Sequence, residues 1–185
     1  MTESIPTGLR IDAGGDQFPV SGPTPRLSWL PVADATRGYE LSAVIDDSPV
    51  ETIAMATHRL NAWPWRPLRS GERVRWRVRP VGGAWSQEHT FEAGLFDPDW
   101  TARWISPPTP VDAEFGKRPG HSLRTTFTAR RPVVRARLYS TALGVYEAFV
   151  NGDRIGTAEL SPGTTSYDKT VYAQAADVAP NLVGG

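Results

Sequence analysis

Two close pairs of aspartates are the residues of this sequence whose type and spacing could perform acid–base chemistry. They are Asp46–Asp47 and Asp97/Asp99. Hydrolysis of a glycoside needs two carboxyl groups held about 5–9.5 Å apart across the sugar. Both pairs lie beside Pro or Ser in segments of turn composition, which explains the aspartates without a catalytic role. We therefore expect no catalytic residue in this chain.

Metal, nucleophile and nucleotide chemistry find little support in the sequence. His58, His89 and His121 are scattered, with no zinc-ligand or Ser-His-Asp context, and there is no cysteine. No GxGxxG or GxxxxGK[ST] segment occurs, so the sequence does not predict nucleotide binding. We expect neither a metal site nor a catalytic histidine.

A row of arginines at 73–79, RVRWRVR, is the strongest charge pattern. Arg73, Arg75, Arg77 and Arg79 alternate with apolar residues, which predicts the solvated face of a half-buried strand rather than a phosphate-binding surface. Lys+Arg and Asp+Glu are 20 each, so the net charge draws the chain neither to nucleic acid nor to a membrane. The N-terminus has no signal-peptide pattern and no apolar run is long enough to span a bilayer, so we expect a cytoplasmic location.

Aromatic side chains are the feature that points to carbohydrate, because sugars pack their C–H faces on flat rings. Of the seven tryptophans, Trp29 and Trp76 occupy inward positions of strand-like runs and are predicted to lie in the core. Trp63 and Trp65 flank Pro64 in an irregular segment, where one exposed ring could meet a ligand.

The second half of the chain contains the polar candidates for carbohydrate binding, Asn151, Tyr167 and Asp168. Asn151-Gly152 lies between two apolar runs, which is a strong hairpin signal because both residue types tolerate positive φ. For Asn151 there is thus an alternative in which the turn alone explains the residue. Tyr167-Asp168 lies on a predicted loop.

The elements that must position these residues are short strands separated by turns, with no amphipathic helix. The pattern predicts an all-β chain, an immunoglobulin/fibronectin-like sandwich followed by an incomplete jelly-roll-type β-sandwich. The predicted strands are 26–30, 38–45, 73–79, 88–93, 123–128, 133–140, 145–150, 154–160 and 170–174.

Composition shifts divide the chain at about residue 100. We expect one domain over 8–97, a junction and Pro/Gly-rich linker over 98–122, and a second domain over 123–185. Trp100 and Trp104 are predicted to pack the two domains together. The second domain has no clear closing strand and ends on Gly184-Gly185, so we expect it to be truncated.

Three stretches together resemble bacterial α-L-rhamnosidases over residues 8–183. PRLSW, GYELSAV and WRVRPVGGAWSQEHTFEAGLFDPDWTARWI are similar to the fibronectin type III-like module of that family, and LRTTF follows a Pro-rich gap. ARLYSTALGVYEAFVNGDRIGTAELSPGTTSYDKTVYAQAADV, at 136–178, resembles its N-terminal β-sandwich module. One departure is Val74, which stands where a fibronectin-type corner after Leu68 and Gly71 would have tyrosine.

The resemblance implies that this region is non-catalytic, because the family's acid and base belong to a separate α/α barrel. It also implies a scaffold for that barrel in the same polypeptide, with a rhamnosyl sugar as ligand and calcium helping to hold it near Asn151 and Asp168. The alternative is a fibronectin-like protein–protein interaction module without sugar binding.

Overall fold

The computed structural model describes residues 5–12, 19–33, 35–107, 114, 117, 119–129 and 132–182. The chain divides into two compact units, Met1–Trp100 (unit 1) and Thr101–Gly185 (unit 2). Apart from two short 3-10 turns, every regular element in the described residues is a β-strand, which confirms the predicted all-β class. No helix in the described ranges is long or apolar enough to cross a membrane.

The described residues of unit 1 form seven strands in two antiparallel sheets. The strands are β1 Thr7–Ile11, β2 Leu27–Leu30, β3 Tyr39–Ile45, β4 Ser48–Pro49, β5 Ile53–Met55, β6 Arg73–Pro80 and β7 His89–Glu92. One sheet pairs β1 with β2, and the other has the order β4-β3-β6-β7, with β5 also paired to β3. The strands predicted at 26–30, 38–45, 73–79 and 88–93 are therefore confirmed.

The alternation of β6 sets the two faces of the larger sheet. Val74, Trp76 and Val78 are fully buried, while the arginines between them point outward. Opposite them on β3, the burial pattern alternates in the same way from Tyr39 to Ile45, and these strands pair along their whole length. The predicted solvated arginine face is confirmed. Since one face of each strand is buried, a shift of one residue in the pairing would turn the arginines inward, and this fixes the register.

An aromatic cluster forms the centre of this core, as the sequence predicts for Trp29 and Trp76. The Trp29 ring centroid lies 5.2 Å from that of Tyr39 and 6.3 Å from that of Trp76, both edge to face. The indole nitrogens of Trp29 and Trp76 are buried without a hydrogen-bond partner. The rings therefore stabilise the core through packing rather than through their polar atoms.

Glu72 braces the corner where the sequence lacks tyrosine. Its carboxylate accepts two hydrogen bonds from Arg66, at 2.6 and 2.9 Å, and one from the backbone N–H of Arg69 at 2.8 Å. The Arg66 guanidinium, helped by the Arg69 N–H, holds the pKa of the Glu72 carboxyl below its ordinary value against the opposing effect of burial. An ion pair thus holds the segment that a tyrosine hydroxyl holds in other sandwiches of this kind.

The aspartate pairs are turn residues, as predicted. Asp46 and Asp47 have φ of 44° and 65° between β3 and β4, and Asp46 Oδ1 accepts a hydrogen bond from the Arg73 N–H. Asp97–Asp99 forms a 3-10 turn, and Asp99 accepts a hydrogen bond from the Ser70 hydroxyl. Their carboxylates are explained by local structure.

In the part of unit 2 that the structure describes, six short strands form three separate two-stranded ladders. They are β8 Arg137–Ser140, β9 Gly144–Val145, β10 Ala148–Val150, β11 Asp153–Ile155, β12 Pro162–Gly163 and β13 Gln174–Asp177. The antiparallel ladders pair β8 with β13, β9 with β12 and β10 with β11. Among the described residues of this unit, Val178 is the one buried apolar side chain, so unit 2 lacks a core comparable to that of unit 1.

Several strand predictions in unit 2 are wrong or shifted. Residues 123–128 form no strand and are exposed throughout, and the strand predicted at 133–140 begins only at Arg137, with Val134 93% exposed. The strand predicted at 145–150 is split into β9 and β10, the return strand at 154–160 shortens to β11, and the strand at 170–174 moves to β13. A strand needs a neighbour for its backbone groups, and no described strand pairs with residues 121–129.

Candidate functional site

A cavity of about 230 Å³ lies in unit 2 between the β8–β13 ladder and the β10–β11 hairpin. Its lining includes Leu138, Ser140, Tyr146, Arg154, Gln174 and Ala176. In the β8–β13 register Gln174 is opposite Ser140 and Ala176 is opposite Leu138, so alternate residues of both strands line the same wall. The pleat of the ladder therefore places a polar pair and an apolar pair side by side on this wall.

The polar groups at this cavity form two clusters. The Ser140 Oγ and Tyr146 hydroxyl oxygens lie 2.5 Å apart in a hydrogen bond. Arg154 Nη2 lies 3.0 Å from carboxylate oxygens of both Glu147 and Glu159. Hydroxyls that can donate or accept, beside a paired guanidinium, are groups that can bind a neutral, hydroxyl-rich molecule.

Asn151 lies at the tip of the β10–β11 hairpin, which confirms the predicted turn. Asn151 has φ of 51° and Gly152 has φ of 93°, and the strands on either side pair from Val150 to Asp153. The Asn151 side chain reaches outside the hairpin, because its Nδ2 donates to the backbone oxygen of Asn181 at 2.8 Å. Asn181 Nδ2 in turn donates to Asp153 Oδ2 at 3.2 Å. The hairpin is thus tied to the 3-10 turn Ala179–Leu182.

Tyr167 and Asp168 lie apart from that hairpin, on the loop between β12 and β13. The Tyr167 hydroxyl donates to the backbone oxygen of Gly163 at 3.4 Å, and Asp168 is exposed. Neither residue lines the cavity, nor does Asn151. No hydrogen bond among the described residues joins any two of these three, so their role in carbohydrate binding stays a prediction.

Calcium near Asn151 and Asp168 stays a prediction. Calcium takes six to eight oxygen ligands. Among the described residues, no three His, Cys, Asp or Glu side chains gather closely enough to hold a metal ion. Asn151 already uses its amide nitrogen on Asn181, which leaves it one side-chain oxygen.

The cavity residues Ser140, Tyr146, Arg154 and Gln174 were not predicted from the sequence. The signal that could have revealed them is the pairing of β8 with β13, two segments separated by the whole hairpin region. Alternation within each segment shows that one face is distinct. It does not show which distant segment faces it.

The tryptophans have mostly structural partners. Trp63 is buried, and its Nε1 donates to the Arg66 oxygen at 2.7 Å. Trp65 is half-buried, and its Nε1 donates to the Glu51 oxygen at 2.7 Å. Both indole nitrogens are therefore already bonded within unit 1, which weakens the case for a ligand-binding ring at 63–65.

The tryptophans predicted to form the junction belong to different units. Trp100 ends unit 1, and its Nε1 donates to the Leu95 oxygen at 3.2 Å. Trp104 lies in unit 2 and is 64% exposed. Their role in joining the domains stays a prediction.

Trp85 is an aromatic residue that the sequence analysis did not single out. The guanidinium carbons of Arg77 and Arg79 lie 4.7 and 4.4 Å from its ring centroid. Arg79 also pairs with Glu40 at 2.7 Å. Because cations already occupy the ring, Trp85 fastens its loop to the outer face of β6 and is not a free platform for sugar.

Unit 2 exposes far more large apolar side chains than unit 1. Unit 1 exposes Ile5, Leu30 and Leu60. The exposed members in unit 2 are Trp104, Ile105, Leu123, Phe127, Val134, Leu143, Val145, Phe149, Leu160 and Tyr172. Among the described residues, the exposed apolar side chains are thus concentrated in unit 2.

Comparison with known proteins gives a consistent result for both units. Residues 6–97 match the family model of the Rha78A-like N-terminal immunoglobulin domain, and residues 131–185 match that of the alpha-L-rhamnosidase N-terminal domain. The chain is 29% identical over 94% of its length to an alpha-L-rhamnosidase of Alteromonas sp. (strain LOR), and 33% identical over 65% to one of Formosa agariphila. It spans 22% and 14% of these relatives.

A solved structure shares the fold. The crystal structure of native alfa-L-rhamnosidase from Aspergillus terreus matches 96% of this chain with a TM-score of 0.75 and 30% identity. The match covers 22% of that protein's chain.

Proposed function

We propose that this chain, whose two units match the family models of the Rha78A-like N-terminal immunoglobulin domain and the alpha-L-rhamnosidase N-terminal domain, is the non-catalytic accessory region of an α-L-rhamnosidase. In this proposal the complete enzyme removes terminal α-L-rhamnosyl groups by means of an α/α barrel outside this region. Unit 1 folds around its own core, and unit 2 provides a surface on which the rest of the polypeptide packs.

The single observation that supports this proposal is the imbalance of apolar burial in unit 2. One apolar side chain is buried among its described residues, while Phe127 and Val134 are 72% and 93% exposed. Burial of a large apolar side chain stabilises by about 1.5–3 kcal/mol. An additional β-layer over these residues would recover that energy for several side chains at once.

A chimeric enzyme tests the proposal. Residues 6–182 of this chain would replace the matching region of the Aspergillus terreus enzyme, and release of p-nitrophenol from its α-L-rhamnoside would be measured beside the thermal midpoint. We expect an active chimera. The 185-residue chain alone should release nothing, and turnover by it would contradict the non-catalytic assignment.

Phe127→Asp identifies the packing surface, with Thr126→Asp, a polar and equally exposed neighbour in the sequence, as the matched control. In the isolated chain both residues are exposed, so both changes should leave the unfolding midpoint unchanged. In the chimera Phe127→Asp should lower the midpoint and Thr126→Asp should not, because a charge is costly where the apolar ring is buried. Equal effects of the two changes in the chimera would refute packing at this segment.

We propose rhamnosyl recognition in unit 2 as a second function, supported by the cavity. Its volume is below the 300–1,000 Å³ common for drug-sized ligands, so it suits a single monosaccharide. In this proposal the hydroxyls of Ser140 and Tyr146 bind one side of the sugar. The ion pair of Arg154 with Glu147 binds the remaining sugar hydroxyls.

Calorimetric titration with L-rhamnose in a chelating buffer distinguishes binding in the cavity from binding at the β10–β11 hairpin and the loop that contains Asp168. If the cavity binds the sugar, Tyr146→Phe removes the binding and Asn151→Ala does not. If the hairpin and the loop bind it, Asn151→Ala and Asp168→Ala remove binding and Tyr146→Phe leaves it unchanged. Absence of heat with the unmodified chain would refute sugar recognition and leave the scaffold role intact.

A further inference from the structure

Asn151 and Gly152 combine a reactive dipeptide with an exposed position. An asparagine side chain can be attacked by the backbone nitrogen of the residue that follows it. That attack is hindered by any side chain on the following residue, and glycine has none. Both residues are exposed, and no atom outside the turn lies within 4 Å of where a Gly152 Cβ would be. Gly152 therefore adds no side chain that would hinder attack on the Asn151 amide, and both residues are accessible to water.

We infer that Asn151 is a site of spontaneous deamidation, and that the reaction removes one of the two side-chain hydrogen bonds that tie the β10–β11 hairpin to the 3-10 turn Ala179–Leu182. The inference is independent of the rhamnosidase proposal, since it rests on this chain's own residues. The only co-reactant it requires is water.

The reaction proceeds in two balanced steps. The Gly152 nitrogen loses its proton to solvent base and bonds to Asn151 Cγ, while the bond from Cγ to Nδ2 breaks and the nitrogen leaves as ammonia. Water then opens the resulting five-membered imide at either carbonyl, which gives aspartate or isoaspartate at position 151. Nothing is oxidised or reduced, and one neutral amide becomes one carboxylate.

The structural consequence follows from the one hydrogen bond that the Asn151 side chain makes. Nδ2 is the donor to the Asn181 oxygen, and it is the atom that leaves. The carboxylate that replaces the amide cannot donate, and it would face a carbonyl oxygen. The second link, from Asn181 Nδ2 to Asp153, remains as the single side-chain tie.

The other two asparagines are internal controls. Asn61 is buried and followed by Ala62, and its Nδ2 donates to the Thr57 oxygen at 3.2 Å. Asn181 is followed by Leu182. In both cases the following side chain hinders the attacking nitrogen, so neither should react at a comparable rate.

Peptide mass spectrometry tests the site on the full chain. Trypsin places the three asparagines in different peptides, 60–69, 138–154 and 170–185. After incubation in mildly alkaline buffer, we expect two deamidated isomers in peptide 138–154 and neither in the other two. An unchanged peptide 138–154, or equal conversion in all three, would overturn the assignment. Asn151→Gly retains a residue that accepts positive φ and should abolish the new species.

Amide hydrogen exchange tests the consequence. Asn151→Asp reproduces one product without waiting for the reaction. It should speed exchange at the Asn181 N–H, which is bonded to the Val178 oxygen in the 3-10 turn. Asn181→Ala is the matched control, because it keeps the backbone acceptor for Asn151 and removes only the link to Asp153. Unchanged protection of the Asn181 N–H in Asn151→Asp would refute the proposal that loss of the Asn151 hydrogen bond weakens the attachment of the turn to the hairpin.

Discussion

Replacing Glu72 by glutamine should destabilise unit 1 by an amount that the structure allows us to estimate. The carboxylate accepts three hydrogen bonds, two from Arg66 and one from the Arg69 N–H, and its side chain is 8% exposed. Hydrogen bonds to charged groups contribute about 1.5–3 kcal/mol. Arg66 is half-exposed and can return to water, and glutamine retains one acceptor oxygen. We therefore expect a loss of about 2 kcal/mol in the free energy of unfolding at neutral pH.

The pH dependence provides an independent check of the cause. The Arg66 guanidinium and the Arg69 N–H lower the pKa of Glu72 in the folded chain. A depressed carboxyl pKa stabilises the fold above the ordinary pKa, and that contribution is lost as the pH falls through the folded value. The difference between wild type and Glu72→Gln should be constant near neutrality and shrink in acid.

Urea denaturation followed by tryptophan fluorescence is a suitable assay. Six of the seven tryptophans lie in unit 1, at positions 29, 63, 65, 76, 85 and 100, so the signal reports this unit. Glu88→Gln is the matched control. Its pair with Arg75 is longer, at 3.6 Å, and exposed on both sides, so we expect a change of about 0–0.5 kcal/mol. Equal losses in the two variants, or a Glu72→Gln difference that stays constant in acid, would refute the brace.

Four further substitutions have expected outcomes that unfolding and amide-exchange measurements can check. Trp85→Ala removes two cation–π contacts and should cost about 1–2 kcal/mol, whereas an unchanged midpoint would show that the ring is not held there. Trp63→Phe should cost about 1 kcal/mol more than Trp76→Phe at equal loss of ring size, because only the Trp63 indole N–H has a hydrogen-bond partner; equal costs would contradict this. Leu160→Asn should raise the free energy of opening of the β9–β12 ladder, measured by amide exchange, by about 1 kcal/mol. The reason is that Leu160 has φ of 51° and is 80% exposed, and asparagine adopts a positive φ more readily than leucine. Faster exchange in the variant would contradict this.

Strands β2, β3, β6 and β7 of unit 1 could be predicted, because apolar and polar residues alternate along them and so identify the buried face. In β6 the alternation of Val74, Trp76 and Val78 with arginine identifies the buried face without knowledge of the partner strand. The partners β3 and β7 also lie within the unit. The sequence did not predict the short strands β1, β4 and β5. It also did not predict the Glu72 brace, because an ion pair leaves no periodic signal.

The sequence predicts the Asn151-Gly152 hairpin but not the cavity, because the walls of the cavity come from segments far apart along the chain. The Asn151-Gly152 turn is local chemistry, so the hairpin was correctly predicted. The cavity depends on Ser140 and Gln174 meeting across the β8–β13 ladder. Such a pairing is set by tertiary packing, and neither segment alone specifies it.

We propose one physical explanation for two features of unit 2. Residues 123–128 do not form the predicted strand, and few apolar side chains are buried among the described residues. Residues 123–127 alternate as a strand should, yet in the structure Leu123 and Phe127 are exposed and no described strand pairs with them. A period-two pattern predicts that one face of a strand is buried, but it does not identify the chain segment that covers this face. In unit 1 the covering segments are present, so pattern and structure agree. In unit 2 no described strand covers the same kind of pattern, which agrees with the proposal that the rest of the polypeptide packs on this unit. The Phe127→Asp and Thr126→Asp pair separates this explanation from a simple error of pattern reading, because only a missing layer makes the apolar position sensitive in the chimera and insensitive in the isolated chain.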